Sequence, residues 1–381
     1  MKKAIYYVMF IISILLSAPA FGATPAYLSR YETNYQIYDL GLMEGGSTSI
    51  AYSINNNMMV AGDAANGTGM QHAFVSSGNG LNLIAGTSGY SKVQGINDAG
   101  QVVGYRDVGG GKTEAYLYQN GSMQSLGRLG VSSYAYGMNN WGQVVGSYKT
   151  STGDTLAFLY DGIDLQSMGT LGGNSSIAKD INELGGATGY STTTSGYDHA
   201  FRYGAGIGRM EDIGTLGGDN SYGNAINRYG HTVGYSETAP GGDSHAFYYD
   251  GDTMRDMGTL GGDNSFANNI NEFGFVVGYS ETADGEYHAF VYHQEAFWYE
   301  GATIIDLNDF ISGDSEWESI TNAYDINEWG QIVGSGMIDG QMHAFLMNPD
   351  GVDYSPVPLP GTSMLLGSCI TLLAALKRRR G

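Results

Sequence analysis

The residues of this chain that could carry chemistry are seven histidines, one cysteine and 38 carboxylates. Five of the histidines, His72, His199, His245, His288 and His343, open a recurring His-Ala-Phe triplet. A metal centre would need several of them within about 2 Å of one ion. They lie on successive repeats, so they would converge only by facing a common axis, and a bond to a neighbouring strand or blade is the expected role. His231 and His293 are isolated. The Asp-Gly and Gly-Asp-Asn turns offer oxygen ligands, but no copy has the Asp-x-Asp-x-Asp-Gly spacing of a calcium loop. Turn-forming Asn, Asp and Gly account for them without metal. Neither Gly-x-Ser-x-Gly, nor His-x-x-x-His, nor a phosphate loop occurs. No catalytic residue, metal or cofactor is therefore assigned, and enzyme activity is not expected. What remains is aromatic: Trp298, Tyr299 and Trp317, in the most irregular part of the chain, have the surfaces on which sugar rings stack. Their alternative role is to fill a seam between structural units.

The elements that position these residues come from a repeat. The pattern Ile-Asn-x-x-Gly-x-Val-Val-Gly, with variations, is centred on Asn55, Asn97, Asn139, Asn182, Asn227, Asn271 and Asn327, and the triplet follows each copy. The spacings are 42, 42, 43, 45, 44 and 56 residues. A period of this size signals one supersecondary unit per repeat. The sixth copy offers strands at Phe266–Ile270, Phe275–Ser280 and Tyr287–Tyr292, with Met254–Gly258 just before them. Leu-Gly-Gly-Asp-Asn-Ser (260–265) reads as the link between units.

Four short antiparallel strands per unit, seven times over, predict an all-β, seven-bladed β-propeller spanning residues 36–349. Adjacent apolar residues such as Val102-Val103 and Val276-Val277 imply sheets covered on both faces. The recurring Gly62, Gly104, Gly146, Gly189, Gly234, Gly278 and Gly334 imply close approach of a neighbouring sheet. Six copies have glycine three residues after the repeat asparagine. The first has Met58, so its turn is expected to differ. The array begins with an outer strand, Gln36–Leu40, and ends with a triplet strand, His343–Met347. Pairing the two would close the ring and remove two open edges.

The ends read as targeting segments. Residues 1–22 have the charged, apolar and small-residue regions of a signal peptide. Residues 350–363 form a linker with Val357, Pro358, Leu359 and Pro360. Residues 364–381 hold an apolar run and a basic end with Arg378, Arg379 and Arg380. A helix over Met364–Leu376 would be about 20 Å long, a marginal transmembrane span. The single cysteine, Cys369, lies in that run, so the exported portion has no disulfides. Without the six lysines and arginines of the two ends, 11 basic residues face 38 acidic ones. Such a surface disfavours nucleic acid and anionic membranes and favours cationic partners or divalent ions, and a solvated acidic exterior alone also accounts for it.

The C-terminal tail resembles the PEP-CTERM class of sorting signals in its Val-Pro-Leu-Pro variant. The triplet repeat resembles the HAF-repeat family of bacterial extracellular proteins, with departures at Glu114-Ala115-Tyr116 and Leu156-Ala157-Phe158. The first resemblance implies signal peptidase and an exosortase-type membrane protease as partners, in bacteria that make exopolysaccharide. The second implies export and a repeat fold but no particular activity. The expected protein is a monomeric, non-catalytic propeller at the cell surface or in an extracellular biofilm matrix, transiently anchored in the inner membrane by its tail. The alternatives are a glycan-binding module and a polysaccharide lyase or hydrolase.

Overall fold

β-Branched and aromatic runs separated by Asn, Asp and Gly turns suit short antiparallel strands. Each repeat folds into one four-stranded sheet, and seven sheets surround an axis as a seven-bladed β-propeller. The structure, a computed structural model, describes residues 35–349 apart from 78–79, 85–89, 128–129, 205–207, 294–303 and 314. The signal segment, the linker, the sorting residues Val357–Pro360 and Arg378–Arg380, and Trp298 and Tyr299 lie outside the described residues. Among the described residues no helix is long and apolar enough to cross a membrane.

The inner strands of blades 1 to 7 are Ser49–Ile54, Ser91–Ile96, Ser132–Met138, Gly172–Ile181, Ser221–Ile226, Gly261–Ile270 and Ser319–Ile326. In the sixth blade most of the expected link 260–265 is therefore strand. The first strand, Tyr35–Asp39, pairs antiparallel with the last, Gln341–Pro349, and becomes the outer strand of blade 7. Asp39 lies opposite Phe345, and Asp39 Oδ1 meets His343 Nδ1 at 3.0 Å. The same contact joins third and outer strands in other blades: His199 to Asp212 at 2.8 Å, His245 to Asp256 at 2.7 Å and His288 to Asp306 at 2.6 Å. The triplet histidine thus fastens an edge strand, and His343 fastens the closure.

The core lies between blades. Val276 and Val277 are neighbours in sequence, yet Val276 packs with Val233 and Phe290, and Val277 with Ile320 and Phe345. Six triplet phenylalanines and Tyr116 are fully buried. Each contributes about 1.5–3 kcal/mol relative to an exposed ring. The triplet alanine has a partner across the seam. In six blades its N–H donates to a serine hydroxyl on the next inner strand, as from Ala200 to Ser221 at 2.8 Å and from Ala344 to Ser49 at 2.9 Å. At the sixth seam Asn308 takes over part of the fastening. Its side chain bonds both the N–H and the carbonyl of Ile320.

Two expectations are corrected. The recurrent glycine of the second strand is crowded by its own blade, not by a neighbouring one. A Cβ on Gly146 would collide with the Tyr134 carbonyl and the Phe158 ring, and one on Gly278 with the Phe266 carbonyl and the Phe290 ring. The cause is a bulge in every inner strand opposite this glycine, for example between Ala135 and Gly137. The Met58 turn is not different either. Met58 takes the left-handed conformation at φ 60°, and its N–H bonds the Asn55 carbonyl just as Gly100 bonds that of Asn97.

Candidate binding site at the channel mouth

The repeat asparagine lies at the turn that ends each inner strand. Its Oδ1 accepts two main-chain N–H groups of its own turn, as Asn139 does from Trp141 and Gln143 at 3.1 and 3.0 Å. Its Nδ2 donates to the carbonyl of the next blade's asparagine. The series runs from Asn55 to Asn97 (2.8 Å), to Asn139 (3.3 Å), to Asn182 (3.0 Å), to Asn227 (2.8 Å), to Asn271 (3.4 Å), to Asn327 (3.1 Å) and back to Asn55 (3.1 Å). Seven buried amides thus form a closed ring of hydrogen bonds around one end of the channel. The amide suits both tasks, because its oxygen accepts within its own turn while its nitrogen donates to the next.

The bulges re-aim the residue three before each asparagine into the lumen. These residues are Tyr52, Gln94, Tyr136, Lys179, Asn224, Asn268 and Tyr324, lining a cavity of about 410 Å³. Lys179 Nζ lies 4.5 Å from the centre of the Tyr136 ring, and burial lowers its pKa. One position nearer the turn, the side chain bridges blades. Asp180 accepts from Ile226 N at 2.9 Å. Asp325 accepts from Ser53 Oγ, Ile54 N, Asn269 Nδ2 and Ile326 N. Burial pushes both carboxyls up to about 6, against the pull of those N–H groups. Asp325 has its lone pairs occupied and acts as a joint between blades 6, 7 and 1. Asp180 plays the same part between blades 4 and 5.

The mouth itself is built by the two residues after each asparagine. The first forms a rim. Main-chain N–H groups of Asn56, Asp98, Asn140, Arg228, Glu272 and Glu328 each donate to the rim side chain of the following blade. The series breaks at Glu183, because the next side chain, Arg228, has no acceptor. Arg228 Nε instead pairs with Glu272 at 3.2 Å. Burial, then the neighbouring Glu272, pushes Glu328 up to about 8.

The second residue points outward. In blades 3 to 7 it is Trp141, Leu184, Tyr229, Phe273 and Trp329, which are 76, 72, 65, 41 and 39% exposed. Blades 1 and 2 have Asn57 and Ala99 there. The result is an apolar horseshoe over five consecutive blades. Both tryptophans are pinned by one edge: Trp141 Nε1 donates to the Glu183 carbonyl at 3.1 Å, and Trp329 Nε1 to that of Asn56 at 3.0 Å. A wide aromatic face fixed at the surface is a stacking platform with little entropy left to lose.

Of the aromatics singled out from sequence, Trp317 is 6% exposed. It packs edge-on to Phe345 at 6.1 Å and His343 at 6.4 Å and lies over Gly336, where a side chain would collide with it. It fills the core of the closing blade, the structural alternative. The horseshoe escaped sequence reasoning, although a signal was present: the variable position two after the repeat asparagine is bulky and apolar in five copies out of seven. Among the described residues no group of three His, Cys, Asp or Glu could hold a metal ion.

No family model and no curated protein matches the chain. Solved structures do. The chain is similar to the extracellular domain of BT4673 from B. thetaiotaomicron, with a TM-score of 0.52 and 12% identity, covering 83% of this chain and 40% of that one. It is similar to the β-propeller domain of the Trilobed protease from Pyrococcus furiosus, with a TM-score of 0.51 and 10% identity over 83% and 98% of the two chains. For TolB from Acinetobacter baumannii the TM-score is 0.42 and the identity 12%, over 79% of this chain and 64% of that one. The chain therefore spans under two thirds of the TolB and BT4673 chains. At these identities the likeness shows the propeller fold alone. The Pyrococcus domain is described as having an open velcro topology, whereas here Tyr35–Asp39 closes the ring.

Proposed function

We propose that this chain is an exported, non-catalytic propeller of the cell surface or extracellular matrix, and that its channel mouth binds a glycan. The horseshoe of four exposed aromatics and Leu184, with both tryptophans pinned, around a polar hole carries the reading. Sugar rings have apolar faces that stack on indole and phenol, and hydroxyls that bond to amides and carboxylates. The lumen supplies Gln94, Asn224 and Asn268 for the second task. Five consecutive blades give the track the reach of an oligosaccharide rather than of one sugar. The two buried lumen aspartates are engaged with main-chain N–H groups across the seams, which supports a binding role over a catalytic one. Export, exosortase-type processing and the exopolysaccharide setting rest on the two terminal segments and their resemblance.

The test is binding of the purified protein to exopolysaccharide from the producing cell. Trp141→Ala and Trp329→Ala should each weaken binding about tenfold or more, the loss of one stacked ring, with little change in thermal midpoint. No binding, or binding indifferent to both substitutions, overturns the proposal. New chain ends in the polysaccharide after incubation would replace it with a lyase or hydrolase.

A further inference from the structure

The horseshoe and the hole it encloses differ in chemistry, and that difference sets the charge of the ligand. The outer track is apolar. Immediately inside it the rim holds Asp98, Glu183, Glu272 and Glu328 against one rim cation, Arg228, which is held by Glu272 at 3.2 Å; a second cation, Lys179, lies deeper in the lumen over the Tyr136 ring. Among the described residues no lysine or arginine forms an ion pair with Asp98, Glu183 or Glu328. Their bonds come from neutral groups: Asn56 N and Asn140 Nδ2 to Asp98, Asn140 N to Glu183, and Glu272 N to Glu328. These orient the carboxylates without neutralising them. The pKa of Glu328, pushed up to about 8, has the same origin: a partly buried carboxyl beside another carboxyl.

A ligand that completes this mouth has flat apolar faces for Trp141 and Trp329 and positive charges for the carboxylates just inside. An ammonium also gains from lying over an indole face. A neutral glycan could bond to the carboxylates but would leave them without a counter-charge, and an anionic one would be repelled. Resting on the glycan-binding reading, we infer that the mouth takes a polycationic glycan, a chain of hexosamines with free amines. Its ring faces lie on the tryptophans and its ammonium groups over Asp98 and Glu183, while Glu328, which keeps its proton near neutrality, adds a hydrogen-bonding group beside them. The net charge of −21 draws such a chain in from a distance.

The experiment titrates the purified protein at about pH 6, where hexosamine amines carry most of their charge, with four probes: glucosamine hexamer, N-acetylglucosamine hexamer, cellohexaose and hexalysine. The glucosamine hexamer should bind at least about tenfold tighter than either neutral hexamer. The preference should fade in about 0.5 M salt. Glu183→Gln, which keeps the bond from Asn140 N, should cost about fivefold for the amine hexamer, clearly more than it costs the neutral hexamers, and leave the thermal midpoint no lower. Trp141→Ala should weaken all three sugars. Equal or tighter binding of the neutral hexamers overturns the charge assignment and leaves the glycan reading standing. Absence of binding by every hexamer overturns both. Hexalysine binding as tight as the amine hexamer, and unaffected by Trp141→Ala, overturns the glycan in favour of bare charge.

Discussion

Asn327→Ala cuts the hydrogen-bonded ring where the last blade meets the first. The wild-type side chain makes four bonds: to the Asn55 carbonyl at 3.1 Å, to Gln331 Oε1 at 2.7 Å, and from Trp329 N and Gln331 N at 3.0 Å each. Asn327 is 4% exposed and Gln331 is fully buried. The Asn55 carbonyl keeps its bond from Met58 N, and the Trp329 N–H lies at the surface turn. The Gln331 N–H and Oε1 are left in the interior without these bonds. At about 1–3 kcal/mol for each unsatisfied buried group, plus about 1 for each bond lost elsewhere, the loss should be about 4–8 kcal/mol. Equilibrium urea unfolding measures it. Asn139 makes the same set of bonds, to Asn182, Gln143 and its own turn. Gln143 is half-buried where Gln331 is fully buried, so Asn139→Ala should cost the same or about 1–2 kcal/mol less, with no extra weakness at the closing seam. Asn327→Asp separates the two duties of the amide. It keeps the turn bonds but turns an acceptor towards the Asn55 carbonyl and Gln331 Oε1. Its folded-state pKa is raised, so the deficit should be small in acid and grow as pH rises to neutrality. An Asn327→Ala cost far below that of Asn139→Ala would mean that the last seam is not closed. An Asp variant as stable as wild type at pH 7 would mean that the inter-blade bond contributes nothing.

Three further outcomes follow from the same geometry. Gly142→Ala should lose about 1 kcal/mol, because φ is 79° and a Cβ would have only Gln101 Oε1 at 3.9 Å, leaving backbone strain alone. Gly146→Ala should lose about 3 kcal/mol or more, or fail to fold, because its Cβ would strike the Tyr134 carbonyl; similar urea midpoints for the two variants would refute the bulge account. Glu328 is held above its ordinary range in the fold, so the unfolded chain releases that proton first, and stability falls as pH rises from about 4.5 to about 8. Glu328→Gln should therefore stabilise the protein by about 1–2 kcal/mol at pH 9, after discounting for solvent at the mouth, and by nothing at pH 4; pH-resolved thermal melts check this, and an equal effect at both pH values would refute it. Substituting His199 or His343 with Ala should each cost about 1 kcal/mol by loss of the bond to Asp212 or Asp39, measured by the same unfolding; a neutral His343→Ala would show that the closing strand is held without it.

Whatever depends on chain order was legible in the residues themselves. Seven recurring asparagines fix the number of blades. The phase of the ends, an outer strand at Tyr35–Asp39 and a third strand at Gln341–Pro349, fixes the closure. Paired valines fix sheets packed on both faces, and spacing keeps the histidines from converging. Whatever depends on where a side chain points after one extra residue was not legible. A bulge in each inner strand shifts a period of two by one position. Only the folded chain therefore shows that Tyr52, Lys179 and Tyr324 face the lumen, that the glycine opposite is crowded by its own blade, and that six asparagine amides reach the next across 42 to 56 residues while the seventh reaches back across 272. The aromatic horseshoe belongs to the same class. Trp141 and Trp329 are 188 residues apart in the chain and become one surface only because the ring brings every turn to the same mouth.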